Sequence, residues 1–237
     1  MTLEVLAQAG AGDVAQAGAA LVRSALDAAL QVRGQAHAAL TGGRTGAALS
    51  RIVAASGLRG TEHLWWGDER WVPLDSADRN DAAGAELAAA GAAVHRAPSP
   101  ASGLSLDAAA TVWGDEIRTA LPLKDGLPVF DVVVLGLGED GHIASLFPGR
   151  PELLESQDVV VPVRESPKPP AERLSLGLRV LGAARCVVFV TAGTGKAWAV
   201  QTLRRGWETG NPEIPAGMVR GVERTVLIAD RAALGRD

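Results

Sequence analysis

The chain reads as an α/β protein, a mostly parallel Rossmann-like sheet with helices on both faces, and three observations predict it. Strand-like and helix-like segments alternate from one end of the chain to the other. The strongest strand, Phe130–Leu135, is apolar and β-branched apart from Asp131, as a strand covered on both faces should be. Several strand-like runs break off into glycine-rich or charged turns, where open α/β sheets bind their ligands.

The elements follow in order. Asp13 is placed to cap a helix running to about Val32, with Val14, Ala17, Leu21, Ala25 and Ala28 on one face. Gln35–Leu40 is a short strand, and a helix from about Thr45 to Ala55 follows. His63–Trp66 is a strand leading into a polar loop, Gly67–Asp81, whose charged residues are expected at the exposed strand end. An alanine-rich helix, a weak strand near Val94–Arg96 and a turn at Pro98–Gly103 come next. Ser105 can cap a helix whose Leu106, Ala109, Ala110, Trp113, Ile117, Ala120 and Leu121 lie at helical spacing, which makes Trp113 a core residue. Beyond Phe130–Leu135, Val159–Val163 and Arg185–Thr191 are strands, with a proline-rich turn at Ser166–Pro170 carrying Lys168 between them. Thr194–Arg204 reads as a helix and Thr225–Ala229 as the last strand. No internal repeat or long linker divides the chain, so residues 1–237 are expected to form a single α/β domain.

Composition excludes several classes of function. Apolar residues make up 47%, too many for a disordered chain. The net charge of −4, with acids and bases interleaved, leaves no basic stripe for nucleic acid. A lone Cys186 inside an apolar run cannot form an internal disulfide, which fits a reducing cytoplasm. No signal-peptide pattern and no membrane-length apolar run are visible. His37, His63 and His95 are scattered with no close His/Cys pair, so neither a metal nor another cofactor is expected.

Four loops carry the chemistry. Thr41-Gly42-Gly43-Arg44-Thr45-Gly46 follows a strand and opens a helix, whose free amides can hold an anion. Arg44 stands where the helix dipole disfavours a cation, a penalty a bound phosphate removes; an ordinary turn with an exposed arginine is the plainer reading. Gly67-Asp68-Glu69-Arg70-Trp71-Val72-Pro73 places acids and a base after a strand, either a site or a solvated loop. Gly136-Leu137-Gly138-Glu139-Asp140-Gly141-His142 fits the dinucleotide pattern G-x-G-x-x-G, but its two carboxylates would repel a pyrophosphate and no acid follows at the right interval. What remains is a glycine-rich bend presenting His142, suited to proton transfer near neutral pH, with Asp140 nearby. Thr191-Ala192-Gly193-Thr194-Gly195-Lys196 imitates the end of a P-loop, but Val190 replaces its leading glycine and Ala197 its magnesium-binding hydroxyl. Lys196 is either an anion ligand or a surface lysine. Converging on one rim, these loops describe a site for a small phosphorylated molecule.

Gly42-Gly43-Arg44-Thr45, Asp68–Pro73 with Asn80 beyond, the run Gly136–Gly149, and Arg173-Leu174-Ser175-Leu176 through Gly193–Lys196 resemble, in order, the glucosamine-6-phosphate isomerase/6-phosphogluconolactonase family. The resemblance spans most of the chain, and Gly136–Gly149 is its most specific part. It implies the fold of the glucosamine-6-phosphate deaminases and ribose-5-phosphate isomerases. It also implies hydrolysis of 6-phospho-D-glucono-1,5-lactone to 6-phospho-D-gluconate in the oxidative pentose phosphate pathway, by histidine-assisted attack of water. Carried over residue by residue, His142 is the catalytic histidine; Asp140 beside it either orients the imidazole or pairs with an arginine. Arg70 and Lys196 are substrate cations, Gly42, Gly43, Arg44 and Thr45 a phosphate cradle, and Asp68 and Arg173 further substrate-site residues. The family's first loop commonly reads Ser-Thr-Pro after the glycines, where this chain has Arg44-Thr45-Gly46. The deaminase relatives carry a glutamate five residues after the histidine; here that position is Phe147, which argues for the lactonase. A sugar-phosphate sensor would not need the base, and a nicotinamide-dependent oxidoreductase rests only on Gly136–Gly141. The expected partner is a sugar-phosphate lactone, with no nucleic acid and no membrane, and a monomer is the favoured state.

Overall fold

The computed structural model describes residues 2–235. In chain order its elements are β1 (Leu3–Gln8), α1 (Ala11–Arg33), β2 (Ala36–Leu40), α2 (Gly43–Ala55), β3 (Glu62–Trp66), β4 (Asp68–Arg70), α3 (Gly84–Ala89), β5 (Ala93–Val94), α4 (Leu106–Ala120), β6 (Leu123–Lys124), β7 (Leu127–Pro128), β8 (Val132–Gly136), α5 (Pro151–Leu154), β9 (Val160–Val163), β10 (Arg173–Leu176), α6 (Leu178–Ala183), β11 (Cys186–Thr191), α7 (Ala197–Thr209), α8 (Pro215–Met218) and β12 (Arg224–Asp230). Seven strands form one parallel sheet in the order β1-β12-β11-β8-β2-β3-β5.

Side-chain alternation along β8 divides the core. Val132 and Val134 face a layer with Val14, Leu26, Leu49 and Val53 of α1 and α2. Val133 and Leu135 face the other layer, with Trp113 and Ile117 of α4 and Leu203 of α7. Burial on both faces explains why this strand reads as a nearly continuous apolar run. Trp113 is fully buried, as its helical spacing predicts. Ser105 caps α4 by accepting from the Ala108 amide at 3.2 Å. Asp131 precedes β8 and accepts the His37 amide at 2.9 Å, which explains an acid at the foot of an apolar strand.

Several expectations are corrected. Gly10, not Asp13, caps α1, so Asp13 lies in the first turn, where its charge suits the helix dipole. β1 extends the sheet beyond the strands expected from sequence. Thr194–Lys196 is a separate 3₁₀ turn ahead of α7, which runs past Arg204 to Thr209. The supposed polar loop Gly67–Asp81 contains β4, and its acids Asp68, Glu69 and Asp81 are buried, while Asp75 and Asp78 stay exposed. β4, β10 and β9 form a second, antiparallel sheet, so Val160–Val163 does not join the large one. Charge made this segment look solvated, but local donors satisfy it. Glu69 is wholly buried and accepts the amides of Arg70 at 2.8 Å, Asn80 at 2.7 Å and Asp81 at 3.1 Å, with Arg79 3.5 Å away. Burial, with the charge of Asp81 adding to it, pushes its carboxyl up to about 7, against the opposing pull of Arg79 and the amides of Asn80 and Arg70.

The three scattered histidines are neighbours in space. His37 stacks on His63 with centroids 4.6 Å apart, and His63 on His95 at 5.2 Å. Trp65 stacks on His95 at 3.8 Å, and Glu116 lies 3.0 Å from its Nδ1. The column begins near the amino end of β2, away from the loops that leave the strands' carboxyl ends. Among the described residues no group of three or more His, Cys, Asp or Glu side chains is arranged to hold a metal.

Candidate active site

Successive strands proceed in opposite directions from the β2/β8 pair, to β3 on one side and β11 on the other. That is a topological switch point, where adjacent loops part and leave a crevice. The loops after β2 and β8 are joined there: the Gly136 amide donates to Thr41 Oγ1 at 3.2 Å. A cavity of about 300 Å³ opens above them, within the range of small-molecule sites. Gly42, Gly43, Asp68, Arg70, His142, Arg173 and Lys196 line it together with Lys168. Asp140 reaches it through His142. Arg44 and Thr45 instead line an adjoining cleft of about 210 Å³, which shares Gly42, Gly43 and Lys196 with the first.

The bend after β8 is built around His142. Gly138 donates its amide to the His142 carbonyl at 2.9 Å, and Gly141 adopts φ +82°, open to glycine with little strain. Asp140 Oδ1 lies 2.5 Å from His142 Nδ1 and also accepts the His142 amide at 3.3 Å. An ionised carboxylate only accepts, so Nδ1 carries the proton and Nε2 is left with its lone pair. Burial holds the imidazole below the usual histidine value, although Asp140 pulls the other way and Lys168 adds to the lowering. Burial works to raise Asp140, but the charge and hydrogen bonds of His142 outweigh it and keep the carboxyl below its ordinary range. A neutral, oriented imidazole of this kind is equipped to accept a proton near neutral pH. Phe147 packs on it, ring centroids 4.7 Å apart.

A buried polar chain braces the opposite wall. Ser145 Oγ donates to Asp68 Oδ2 at 2.6 Å and accepts from Arg173 Nη1 at 3.3 Å. Asn80 Nδ2 donates to Asp68 Oδ1 at 3.0 Å and to the Asp68 carbonyl at 2.8 Å. Ser145 is therefore engaged with Asp68 and Arg173, and no hydrogen bond among the described residues joins it to His142. Gly42 is confined from the same side: a β-carbon there would stand 1.7 Å from Asn80 Oδ1.

Cations dominate the rim. Arg70 and Arg173 are direct cross-strand partners of β4 and β10, a like-charge pairing that costs stability unless something negative lies between them. Arg70 donates to the Asp78 carbonyl at 2.5 Å. Burial lowers the Lys196 ammonium, Glu139 opposes this, and Lys168 adds to the lowering. Sequence reasoning did not assign Lys168 or Asn80 a role in the site; the prolines around Lys168 were a signal that its backbone is fixed.

Residues 9–228 match the family model described as glucosamine-6-phosphate isomerases/6-phosphogluconolactonase. The chain belongs to this family. It is 40% identical over 233 residues to the 6-phosphogluconolactonase of Mycobacterium tuberculosis, covering 94% of this chain and 93% of that one. The solved structure of 6-phosphogluconolactonase from Trypanosoma brucei superposes with a TM-score of 0.84 at 26% identity, covering 99% of this chain and 98% of that one. A monomeric glucosamine-6-phosphate deaminase of the NagB superfamily shares the fold alone, with a TM-score of 0.73 at 18% identity over 98% of this chain and 99% of that one. The mostly parallel sheet expected from sequence is therefore the fold of this family. Among the described residues, no helix is long and apolar enough to cross a membrane.

Proposed function

We propose that this member of the family hydrolyses 6-phospho-D-glucono-1,5-lactone to 6-phospho-D-gluconate, in the oxidative pentose phosphate pathway of the cytoplasm. The observation that carries the reading is the Asp140–His142 pair on the wall of a cavity rimmed by cations. In this reading Arg70 and Lys196 hold the substrate phosphate, aided by the Gly43 amide at the start of α2. Binding there fixes the lactone carbonyl near His142. Nε2 takes a proton from water as the water's oxygen bonds to that carbonyl. Amides or a cation meet the resulting tetrahedral oxyanion. When the carbon–oxygen bond of the ring breaks, the imidazolium returns the proton to the departing ring oxygen, giving the open-chain acid. Asp140 keeps the imidazole in the tautomer this requires. No serine nucleophile is needed, and the engagement of Ser145 with Asp68 supports that.

Deamination or isomerisation is the competing chemistry within the family. Phe147 packed on His142 disfavours it, because an apolar ring offers no second carboxylate for ring opening. The test is hydrolysis of freshly prepared 6-phosphoglucono-δ-lactone above its spontaneous rate, by native protein and His142→Ala together. Fast native hydrolysis that the variant loses is expected. No acceleration by the native protein, or ammonia release from glucosamine 6-phosphate, would overturn the reading.

A further inference from the structure

Arg173 was expected to contact substrate, but most of its donors are already committed. Nε donates to the Pro170 carbonyl at 3.1 Å. Nη2 donates to the carbonyls of Lys168 at 2.7 Å and Pro169 at 3.2 Å. Nη1 donates to Ser145 Oγ at 3.3 Å. A guanidinium has five N–H groups, and these contacts use four of them. Arg173 is buried, so its fork clamps the backbone of residues 168–170 from beneath. Ser166 Oγ donates to the Lys168 carbonyl at 2.8 Å and completes the hold. Lys168 itself is different. Its backbone is fixed, its side chain is exposed and borders the cavity, and no described side chain pairs with its ammonium.

We propose that Lys168 presents its ammonium to an anionic oxygen of the bound substrate, and that Arg173 is a positioning residue acting through the Lys168–Pro170 segment. The inference rests on the functional reading above for the identity of the substrate. Two oxygens of that substrate have the required chemistry: those of the phosphate, and the carbonyl oxygen as it becomes an oxyanion. Lys168 lines the same cavity as His142 and Lys196, and its charge lowers the pKa of both.

The test combines Lys168→Ala, Arg173→Lys and the double variant, assayed on the phosphorylated lactone and on unphosphorylated glucono-δ-lactone. Inorganic phosphate binding is followed in parallel by calorimetry. Lys168→Ala should lower kcat/KM about ten- to a hundredfold, the worth of one contact to a charged group, with an unchanged melting temperature. A loss in KM matched by weaker inorganic phosphate binding assigns the contact to the phosphate. A loss in kcat on both lactones assigns it to the reacting carbonyl. Arg173→Lys keeps the charge but not the fork, so it should reproduce the loss, and the double variant should be no worse than Lys168→Ala. Losses that multiply in the double variant would mean that Arg173 touches substrate itself, overturning its positioning role. An unchanged kcat/KM with unchanged phosphate binding in Lys168→Ala would overturn the role of Lys168, and this exposed position tests it even if the Arg173 variant fails to fold. Should native protein hydrolyse neither lactone, the functional reading fails instead, while calorimetry still decides whether Lys168 binds an anion.

Discussion

A β-carbon at Gly138 would stand 2.1 Å from Nδ1 of His142 and 2.5 Å from Oδ1 of Asp140. The glycine leaves room for the acid–base pair, a role distinct from the dinucleotide contact its motif suggests. Gly138→Ala must push the imidazole or the carboxylate aside. A displacement of about an ångström costs on the order of a hundredfold in rate. The expected result is a kcat lowered by roughly that factor with native-like circular dichroism. Unchanged kcat would show that the pair can move without penalty.

The pH profile depends on the same pair. Burial keeps His142 neutral below the usual histidine range, so kcat/KM should stay level through neutral pH and fall only on the acid side. Asp140 raises the His142 value, so Asp140→Asn removes that pull and moves the acid limb to lower pH. It also removes the acceptor that selects the tautomer, so the plateau should drop, on the order of a hundredfold or more. An acid limb that moved upward would contradict the charge argument.

Arg79 holds two buried carboxylates together. Its Nη2 lies 2.9 Å from Asp81 Oδ2 and 3.5 Å from Glu69 Oε2, with all three side chains inaccessible to solvent. Arg79→Ala leaves both acids without this partner, a change that typically costs about 3–5 kcal/mol. Urea unfolding should register that loss, with weaker substrate binding as Asn80 loses its support. A stability change below about 1 kcal/mol would mean that Arg96 and the loop amides suffice.

The histidine column should make the fold acid-sensitive. Burial, followed by the charges of His63 and His95, lowers His37 to about 4. The unfolded chain, near 6.5, binds the proton more readily, so stability is level above that pH and falls as the pH drops towards 4. The shift corresponds to at most about 3 kcal/mol. His37→Leu should flatten the stability curve between those values in a pH series of urea melts. An unaltered slope would assign the acid loss to other groups.

The large sheet and the His142 loop were legible because both are written locally. The β8 run and the glycines that follow it occupy one continuous stretch of sequence. β4 was not legible, because Asp68-Glu69-Arg70 has the composition of a solvated turn. Its burial depends on donors from Arg79, Asn80 and Asp81, about ten residues on, and on β10, about a hundred residues away. Arg173 lines the cavity, but nothing in its local sequence shows that its fork faces the backbone of residues 168–170, which folding brings beside it. Arg44 was read with the main cradle, and the turn into α2 sends it to the neighbouring cleft.

The register that sets Asp68 opposite Ser175 and Arg70 opposite Arg173 also has a kinetic meaning. One wall of the cavity exists only when two segments far apart in the chain have met, and a loop of that length closes late because its entropy is spent before its contacts form. Helices can assemble locally, ahead of it. During refolding, catalysis should therefore return after the helical signal has recovered, and the interval between them measures the closure of the small antiparallel sheet.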